Sequence, residues 1–434
     1  MRNANAARLQ GLVLIFLSLT FSASAEILTF EQCVREATLN NPGLRAAEQE
    51  IQRTEAVRKG SYSPFLPEVT LSSDVSRSRN EQTTVSGGTS FGTPTTSSQY
   101  GNSYMVQLQL QQRLFDGFST KGQIDKARAE IGVATAKLLT EKALVSFELK
   151  SAFAQMLYAQ ELQRISKNIL EQRELNARMV GLKYENGRED KGALLLSRAN
   201  VTQASTDIIQ AGRTLELSRI QLVNLMGRPK VTPFHGEGQL ATAPPMVAPD
   251  YAALALLTPA HFQQDAVVKA ANAGITIARS TFYPQINAYF SSSSQSESSY
   301  EMPQSWQAGL NGSWAVFDGT ATYFNVRAAR ANLESQRSGL RQTDADTTSS
   351  LAEDHRSLCD AIENVKVGAE LLDAAALRAK IAEAQYRNGL ISFQDFDTIT
   401  SDYINRQKSH LQSRRDAVLA EAQWEESRGI GAIP

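Results

Sequence analysis

The side chains of this sequence best suited to bind a metal ion or attack a substrate are four histidines and two cysteines. The histidines are scattered without the spacing of a metal-binding motif: His235, His261, His355 and His410. Cys33 and Cys359 lie far apart, so we expect them to be small buried hydrophobic side chains. The sequence has no GxSxG, P-loop or HExxH motif. It therefore predicts neither an enzyme nor a protein with a cofactor or a bound metal.

The short motifs that do recur come in pairs. Phe115-Asp116-Gly117 returns as Phe317-Asp318-Gly319, and Tyr184-Glu185-Asn186-Gly187 returns at the same offset as Tyr386-Arg387-Asn388-Gly389. The prolines of FLPEV and FYPQI, before each predicted first strand, are separated by a larger offset. The second copy is thus shorter than the first, and the missing residues all fall within a Ser/Thr/Gly-rich stretch, as is typical of a surface loop. This pattern indicates an internal duplication.

The duplication sets the predicted domain organisation. We expect a first repeat over residues 26–229, a Pro-rich linker over 230–249 and a second repeat over 250–431. Residues 1–25 have the charged start, short apolar run and small final residues of a signal peptide, so the mature chain is predicted to begin at Glu26. No later segment has eighteen consecutive apolar residues. The net charge of −1 gives no reason to expect nucleic acid as a partner.

Each repeat has two stretches in which apolar and polar residues alternate, as they do in membrane-spanning strands. The predicted strands cover residues of about 66–76, 102–114, 285–295 and 304–316. Trp306 and Trp314 are spaced to mark the two membrane interfaces. The polar runs 77–99 and 296–303 are predicted to be extracellular loops. The alternative for these stretches is a soluble β-hairpin with one face exposed to water.

After each Phe-Asp-Gly turn, apolar residues recur every 3.5 residues, which indicates long packed helices. The predicted helices cover about 118–183, 190–226, 319–385 and 392–428. Gly187 and Gly389 permit the positive φ of a tight reversal, and Asp190 and Ser392 can cap the returning helices. Asp395 stands three residues after Ser392, at the spacing of a capping box.

The fold class predicted from these elements is an α+β membrane protein, in which each repeat is a β-hairpin followed by a long α-helical hairpin. Four strands per chain leave two open edges, and an open edge cannot face lipid. Three chains supply twelve strands, enough to close a β-barrel with a lumen. We therefore expect a trimer with a 12-stranded barrel above its long helical hairpins.

The paired motifs, in this order, resemble those of the TolC-like outer-membrane efflux and secretion channels. The resemblance covers nearly the whole mature chain. It implies a homotrimer in the outer membrane that conducts substrates passively, with its helical tunnel in the periplasm. It also implies a periplasmic adaptor and an inner-membrane pump of the ABC or RND type as partners. The runner-up interpretation is a periplasmic coiled-coil adaptor without a pore.

The resemblance also implies roles for particular residues. The reversals around Gly187, Gly389 and Leu390 would be the adaptor-docking tips, and Tyr386 and Asp395 would lie at the pore entrance. Trp306 and Trp314 would lie at the membrane interfaces of the barrel. Two departures from the family pattern affect the entrance. Ala193 takes the place of the acidic residue that would match Asp395, and Ile391 takes the place of an arginine.

Overall fold

The computed structural model describes residues 26–85, 94–230, 233–242, 247–297 and 303–434. The predicted signal peptide lies outside the described residues. In chain order the elements are β1 (Glu26–Thr29), α1 (Phe30–Asn40), α2 (Pro42–Gly60), β2 (Glu68–Val85), β3 (Pro94–Phe115), α3 (Ser119–Glu185), α4 (Lys191–Leu225), β4 (Phe234–Glu237), α5 (Tyr251–Ala255), α6 (Pro259–Arg279), β5 (Gln285–Ser296), β6 (Gln304–Ser313), α7 (Ala321–Arg387) and α8 (Phe393–Ser427). Short 3₁₀ turns at Ser63–Phe65 and Ser280–Phe282 precede β2 and β5.

The duplication is visible in the backbone. Helices α3 and α7 each have 67 residues, and α4 and α8 each have 35. The starts of α7 and α8 follow those of α3 and α4 by the offset of the Phe-Asp-Gly motifs, whereas the starts of α6 and β5 follow those of α2 and β2 by the larger offset of the prolines. The two repeats therefore share one fold, a β-hairpin joined to a long helical hairpin.

The four long strands form one antiparallel sheet in the order β2-β3-β5-β6, so β2 and β6 are its edges. The register places apolar side chains together in rows across the sheet, such as Val69, Leu110, Phe290 and Ala308. The neighbouring row is polar: Thr70, Gln109, Ser291 and Gln307. Since successive residues of a strand point to opposite faces, one face of the sheet is apolar and the other polar.

The predicted strand ends and the first predicted loop need correction. Pairing between β2 and β3 continues to Val85 opposite Pro94, so most of the loop expected at 77–99 is a two-stranded ribbon. Threonine and serine side chains on adjacent strands can form hydrogen bonds with each other, so two polar strands can remain paired without an apolar face. In the second repeat β6 ends at Ser313 rather than at residue 316. Residues 298–302 of the second predicted loop lie outside the described part of the chain.

The Phe-Asp-Gly motif builds the junction between sheet and helix. Asp116 Oδ2 accepts hydrogen bonds from the backbone N–H of Thr120, at 2.9 Å, and from its hydroxyl. Asp318 binds Thr322 in the same way. Each aspartate therefore satisfies otherwise unpaired donors in the first turn of a long helix. At 1.5 Å per residue, α3 and α7 then each extend roughly 100 Å from the sheet.

The largest core lies midway along the helices. Strand β1 pairs in parallel with β4, and the buried residues beneath them come mainly from α3 and α4, among them Leu149, Met156 and Leu222. Cys33 is fully buried there, and burial raises the pKa of its thiol to about 12. Cys359 is only half-buried, which corrects the prediction for that residue. Within the described ranges, no helix has both the length and the apolar content needed to cross a membrane.

Candidate functional site

The two helix reversals at the far ends of α3 and α7 are built alike. Gly187 adopts φ +69° and Gly389 φ +73°. The residue after each glycine donates its N–H back into the last helical turn, from Arg188 to the Lys183 oxygen at 2.8 Å and from Leu390 to the Gln385 oxygen at 2.9 Å. This is the common glycine-terminated helix end. Both glycines are thus needed for the turn, whatever else binds there.

The returning helices begin with side-chain caps. Asp190 Oδ1 accepts the Ala193 N–H at 2.8 Å, and Ser392 Oγ accepts the Asp395 N–H at 3.2 Å. The Asp395 carboxylate accepts a hydrogen bond from the Ser392 hydroxyl at 2.7 Å. In a capping box it would accept the backbone N–H of the cap residue instead. Asp395 is exposed, so its capping bond leaves carboxylate surface open to solvent.

Tyr386 ties the second reversal to the first. Its side chain is 1% exposed and stacks on Phe396, with ring centroids 4.8 Å apart and planes at 3°. Its hydroxyl donates to Glu189 Oε1 at 2.8 Å, across to the other reversal. The Lys183 ammonium lies 3.7 Å from the centroid of the tyrosine ring and also donates to the Tyr386 carbonyl oxygen. We call Tyr386, Glu189 and Lys183 the tip clamp.

The electrostatics favour the clamped state. Burial, together with the hydrogen bond to Glu189 and the charge of that residue, raises the pKa of the Tyr386 hydroxyl. A raised tyrosine pKa means that the folded protein holds the proton more tightly than the unfolded chain does. The hydroxyl therefore stays a donor at neutral pH, and its contribution to stability is lost only above the ordinary tyrosine range.

Asp397 is a second link between the hairpins that the sequence did not predict. Its Oδ1 accepts from Arg173 at 2.8 Å and from Asn200 at 2.9 Å, joining α8 to α3 and α4. The equivalent residue in the first repeat is Leu195. A charge in one copy that is apolar in the other was the available signal, and a similar difference marks Lys183, whose counterpart is the uncharged Gln385.

The predicted site residues fall into two groups at opposite ends of the helices. Gly187, Gly389, Tyr386 and Asp395 lie together at the reversals, and Leu390 is the exposed apex of the second one, at 72%. Trp306 lies on the sheet and Trp314 directly after its last strand, and both are exposed.

The two tryptophans stand near the two ends of β6. Trp314 follows the last residue of the strand, and its Nε1–H donates to the Phe282 carbonyl oxygen at 3.2 Å. It is eight positions after Trp306, which along an extended chain is roughly 26 Å. Because membrane-spanning strands tilt by about 35–45°, this corresponds to roughly 20 Å along the membrane normal, somewhat less than the apolar height of roughly 25 Å.

Comparison with known proteins agrees with this architecture. The family model described as "Outer membrane efflux protein" matches residues 33–228 and 261–429. Among solved structures, the fold is similar to that of CusC, with a TM-score of 0.79, 16% identity and coverage of 93% of this chain and 92% of that one. No curated protein sequence matches the chain.

The fold is also similar to that of outer-membrane proteins from two other sources. VceC of Vibrio cholerae matches with a TM-score of 0.75 and 16% identity, covering 93% of this chain and 96% of that one. The Neisseria gonorrhoeae MtrE outer membrane channel matches with a TM-score of 0.75 and 17% identity, covering 93% and 89%. At these identities the similarity establishes the fold.

Proposed function

The chain belongs to the outer membrane efflux protein family, and we propose on that premise that three copies of it form one continuous conduit. It is a channel subunit of the outer membrane. In the proposed assembly, twelve strands close a barrel and the helical hairpins form a tunnel through the periplasm. The conduit is passive, and a partner pump supplies the energy.

One observation supports this assembly more than any other. The four-stranded sheet has an apolar face and two long unpaired edges, β2 and β6. Unpaired edges leave backbone N–H and C=O groups without partners, which is costly in lipid. Pairing β6 of one copy with β2 of the next removes all edges when the ring closes.

We infer that the reversals dock a periplasmic adaptor, which connects the channel to an inner-membrane pump of the ABC or RND type. They are the chemically distinct ends of two otherwise repetitive helical hairpins. A periplasmic adaptor as the identity of this chain itself is set aside, because the efflux family model matches both repeats.

The assembly is tested by fractionation and conductance. The protein is expected in the outer-membrane fraction as a trimer that dissociates on heating, and to open steady conductances in planar bilayers. A monomer in the periplasmic fraction would overturn the proposal.

Asp395 is proposed to lie at the pore entrance, where three copies place three carboxylates. A unit charge at 4 Å is worth about 1 kcal/mol to a passing cation even in bulk-like water. We therefore predict that Asp395→Asn lowers the cation-to-anion permeability ratio severalfold in planar bilayers, and weakens block by multivalent cations added from the periplasmic side. Asp250→Asn, at an exposed helix cap remote from the reversals, is the matched control. Unchanged selectivity in Asp395→Asn would leave that residue a helix cap only.

The ribbon of β2 and β3 that extends past the other strands is predicted to project outside the cell. The pairing of β3 with β5 stops at Tyr104 opposite Ser296, and within the described part of the chain no other strand lies beside the ribbon beyond this point. Added protease is expected to cut intact cells within residues 77–99. Cleavage seen only after the outer membrane is permeabilised would contradict this topology.

A further inference from the structure

The contact between the two repeats of one chain is tight where α3 begins. Gly117 has φ +65°, and a Cβ added there would lie 2.3 Å from the Ser280 carbonyl oxygen and 2.9 Å from Cβ of Tyr283. One turn later, a Cβ on Gly122 would lie 2.8 Å from Cγ1 of Ile277. Both glycines are therefore present because the second repeat leaves no room for a side chain. Helix α6 packs on α3 through this contact, and on α7 as well.

The equivalent surfaces at the two ends of the chain are open. By the offsets of the duplication, Gly319 corresponds to Gly117 and Ser63 to Ser280. Gly117 and Ser280 are buried against each other, whereas Gly319 and Ser63 are both exposed. A Cβ on Gly319 would meet nothing within 4 Å. Gly319 has the backbone conformation of Gly117, with φ +66° against +65°, and Ser63 begins a 3₁₀ turn as Ser280 does.

At the next contact the side-chain sizes are exchanged. Gly122 corresponds to Phe324, and Ile277 corresponds to Gly60. Inside the chain, the glycine is on the long helix and the large side chain is on the short one. At the open ends, Phe324 on the long helix α7 is 56% exposed, and a Cβ on Gly60 of α2 would meet nothing within 4 Å. The exposed Phe324 side chain at one open surface is thus complementary to the empty space beside Gly60 at the other.

The strand register leads to the same pairing. The contact of β3 with β5 places Leu108 opposite Ser292. Carried over by the same offsets to β6 and the β2 of a second copy, this register places Leu310 opposite Val75. Both of these side chains are largely exposed in the single chain, at 72% and 71%. Pairing them covers apolar surface at the open edges, in continuity with the helix contact below.

We propose that Phe324 of one copy packs against Gly60 of the next copy, as the size-exchanged counterpart of the contact between Gly122 and Ile277. The exchange specifies which surfaces meet. Phe324 fits a glycine but overlaps an isoleucine, so α7 selects α2 of a neighbouring copy and rejects α6 of that copy. This deepens the proposed trimer and rests on it.

Disulfide crosslinking tests the contact directly. In the internal contact, a Cβ on Gly122 lies 2.8 Å from Cγ1 of Ile277, and Cγ1 is one bond from the Cβ of Ile277. The two Cβ atoms are therefore close enough for a disulfide, which needs a Cβ–Cβ distance of roughly 3.5–4.5 Å. Residues 324 and 60 occupy the equivalent positions in the proposed contact. In a Cys359→Ala background, Gly60→Cys with Phe324→Cys is therefore expected to give oxidised dimers and trimers on denaturing gels. Ile277→Cys with Phe324→Cys is the matched control and is expected to stay monomeric. No crosslink in the first pair within an assembled trimer, or an equal crosslink in the control, would overturn the proposal.

Reversing the side-chain sizes at residues 60 and 324 provides a second test. Gly60→Ile has room within its own chain, so the monomer folds, but the new side chain meets Phe324 of the neighbour. Heat-dissociable trimer is expected to fall roughly tenfold, and to return when Phe324→Gly is added, since neighbouring residues couple in this way. Gly274→Ile, at an α6 glycine with free space around it, serves as the control.

The outcomes separate this inference from the trimer itself. If the unaltered protein forms no trimer, the proposed assembly fails. If trimers of the unaltered protein and of Gly60→Ile are equally abundant, the assembly stands and the Phe324–Gly60 contact is wrong.

Discussion

Replacing Leu390 with tryptophan is expected to abolish export while leaving the assembled channel intact. Leu390 is the exposed apex of the second reversal, and its side chain lies outside the buried cluster at the tips. A bulky ring there leaves the fold unchanged but prevents close approach of an adaptor. Loss of a central interface residue typically costs about 2 kcal/mol or more, roughly 30-fold in affinity, and each trimer carries three copies of the defect. Export is measured as accumulation of a dye or drug in cells.

Leu257→Trp is the matched control for this experiment. Leu257 is also an exposed leucine just after a helix, but it lies between α5 and α6, remote from the reversals. The control is expected to export normally, and both variants are expected to give normal amounts of trimer. Normal export by Leu390→Trp would show that the second reversal is not where the adaptor binds.

The duplicated fold was predictable because its landmarks depend on local chemistry. A helix that must start after a tight turn needs a capping side chain, and Asp116 and Asp318 provide one at equivalent positions. A reversal that needs positive φ selects glycine, as at Gly187 and Gly389. Features that depend on a few neighbouring residues repeat when the sequence repeats, so their spacing revealed both units.

The length of the first hairpin was not predictable in the same way. Strand prediction relied on alternation of apolar and polar residues, which exists only where one face of a sheet is apolar. Beyond Val75 the chain is polar on both faces, yet pairing continues to Val85. Backbone hydrogen bonds and polar side-chain contacts, such as Arg79 to Ser98, maintain the ribbon there, and they leave no signal in the apolar pattern.

The contacts that join the two hairpins could not be predicted from the sequence for a different reason. Glu189, Lys183 and Tyr386 meet only because two helices of roughly 100 Å reach the same place, and residue spacing within one helix does not report that. The prediction identified Tyr386 from its motif and from a family resemblance, without its partners. Asp397 belongs to no motif, and its difference from Leu195 marks the residue without identifying its partners.

The tip clamp leads to the second large effect. Tyr386→Ala removes a buried ring, its stacking on Phe396 and the bond to Glu189, and such losses typically cost about 3–5 kcal/mol. Local opening at the reversals is then expected to increase more than about 100-fold, measured as hydrogen exchange of amides near residues 180–195 and 380–396. Tyr386→Phe keeps the ring and loses one hydrogen bond to a charged acceptor, worth about 1.5–3 kcal/mol, so exchange should rise roughly 10- to 100-fold.

The first repeat supplies the control for this experiment, since Tyr184 is the duplicate of Tyr386 and is 38% exposed. Its YxNG motif and following glycine are the same, but among the described residues no aromatic ring stacks on it, and it lies outside the buried cluster. Tyr184→Phe is therefore expected to leave exchange at both reversals unchanged. A graded response, with alanine above phenylalanine at residue 386 and no change at 184, would separate the ring from the hydroxyl. Equal effects at the two tyrosines would mean that the reversals are held by their glycine turns and helix caps, and that the clamp contributes nothing beyond them.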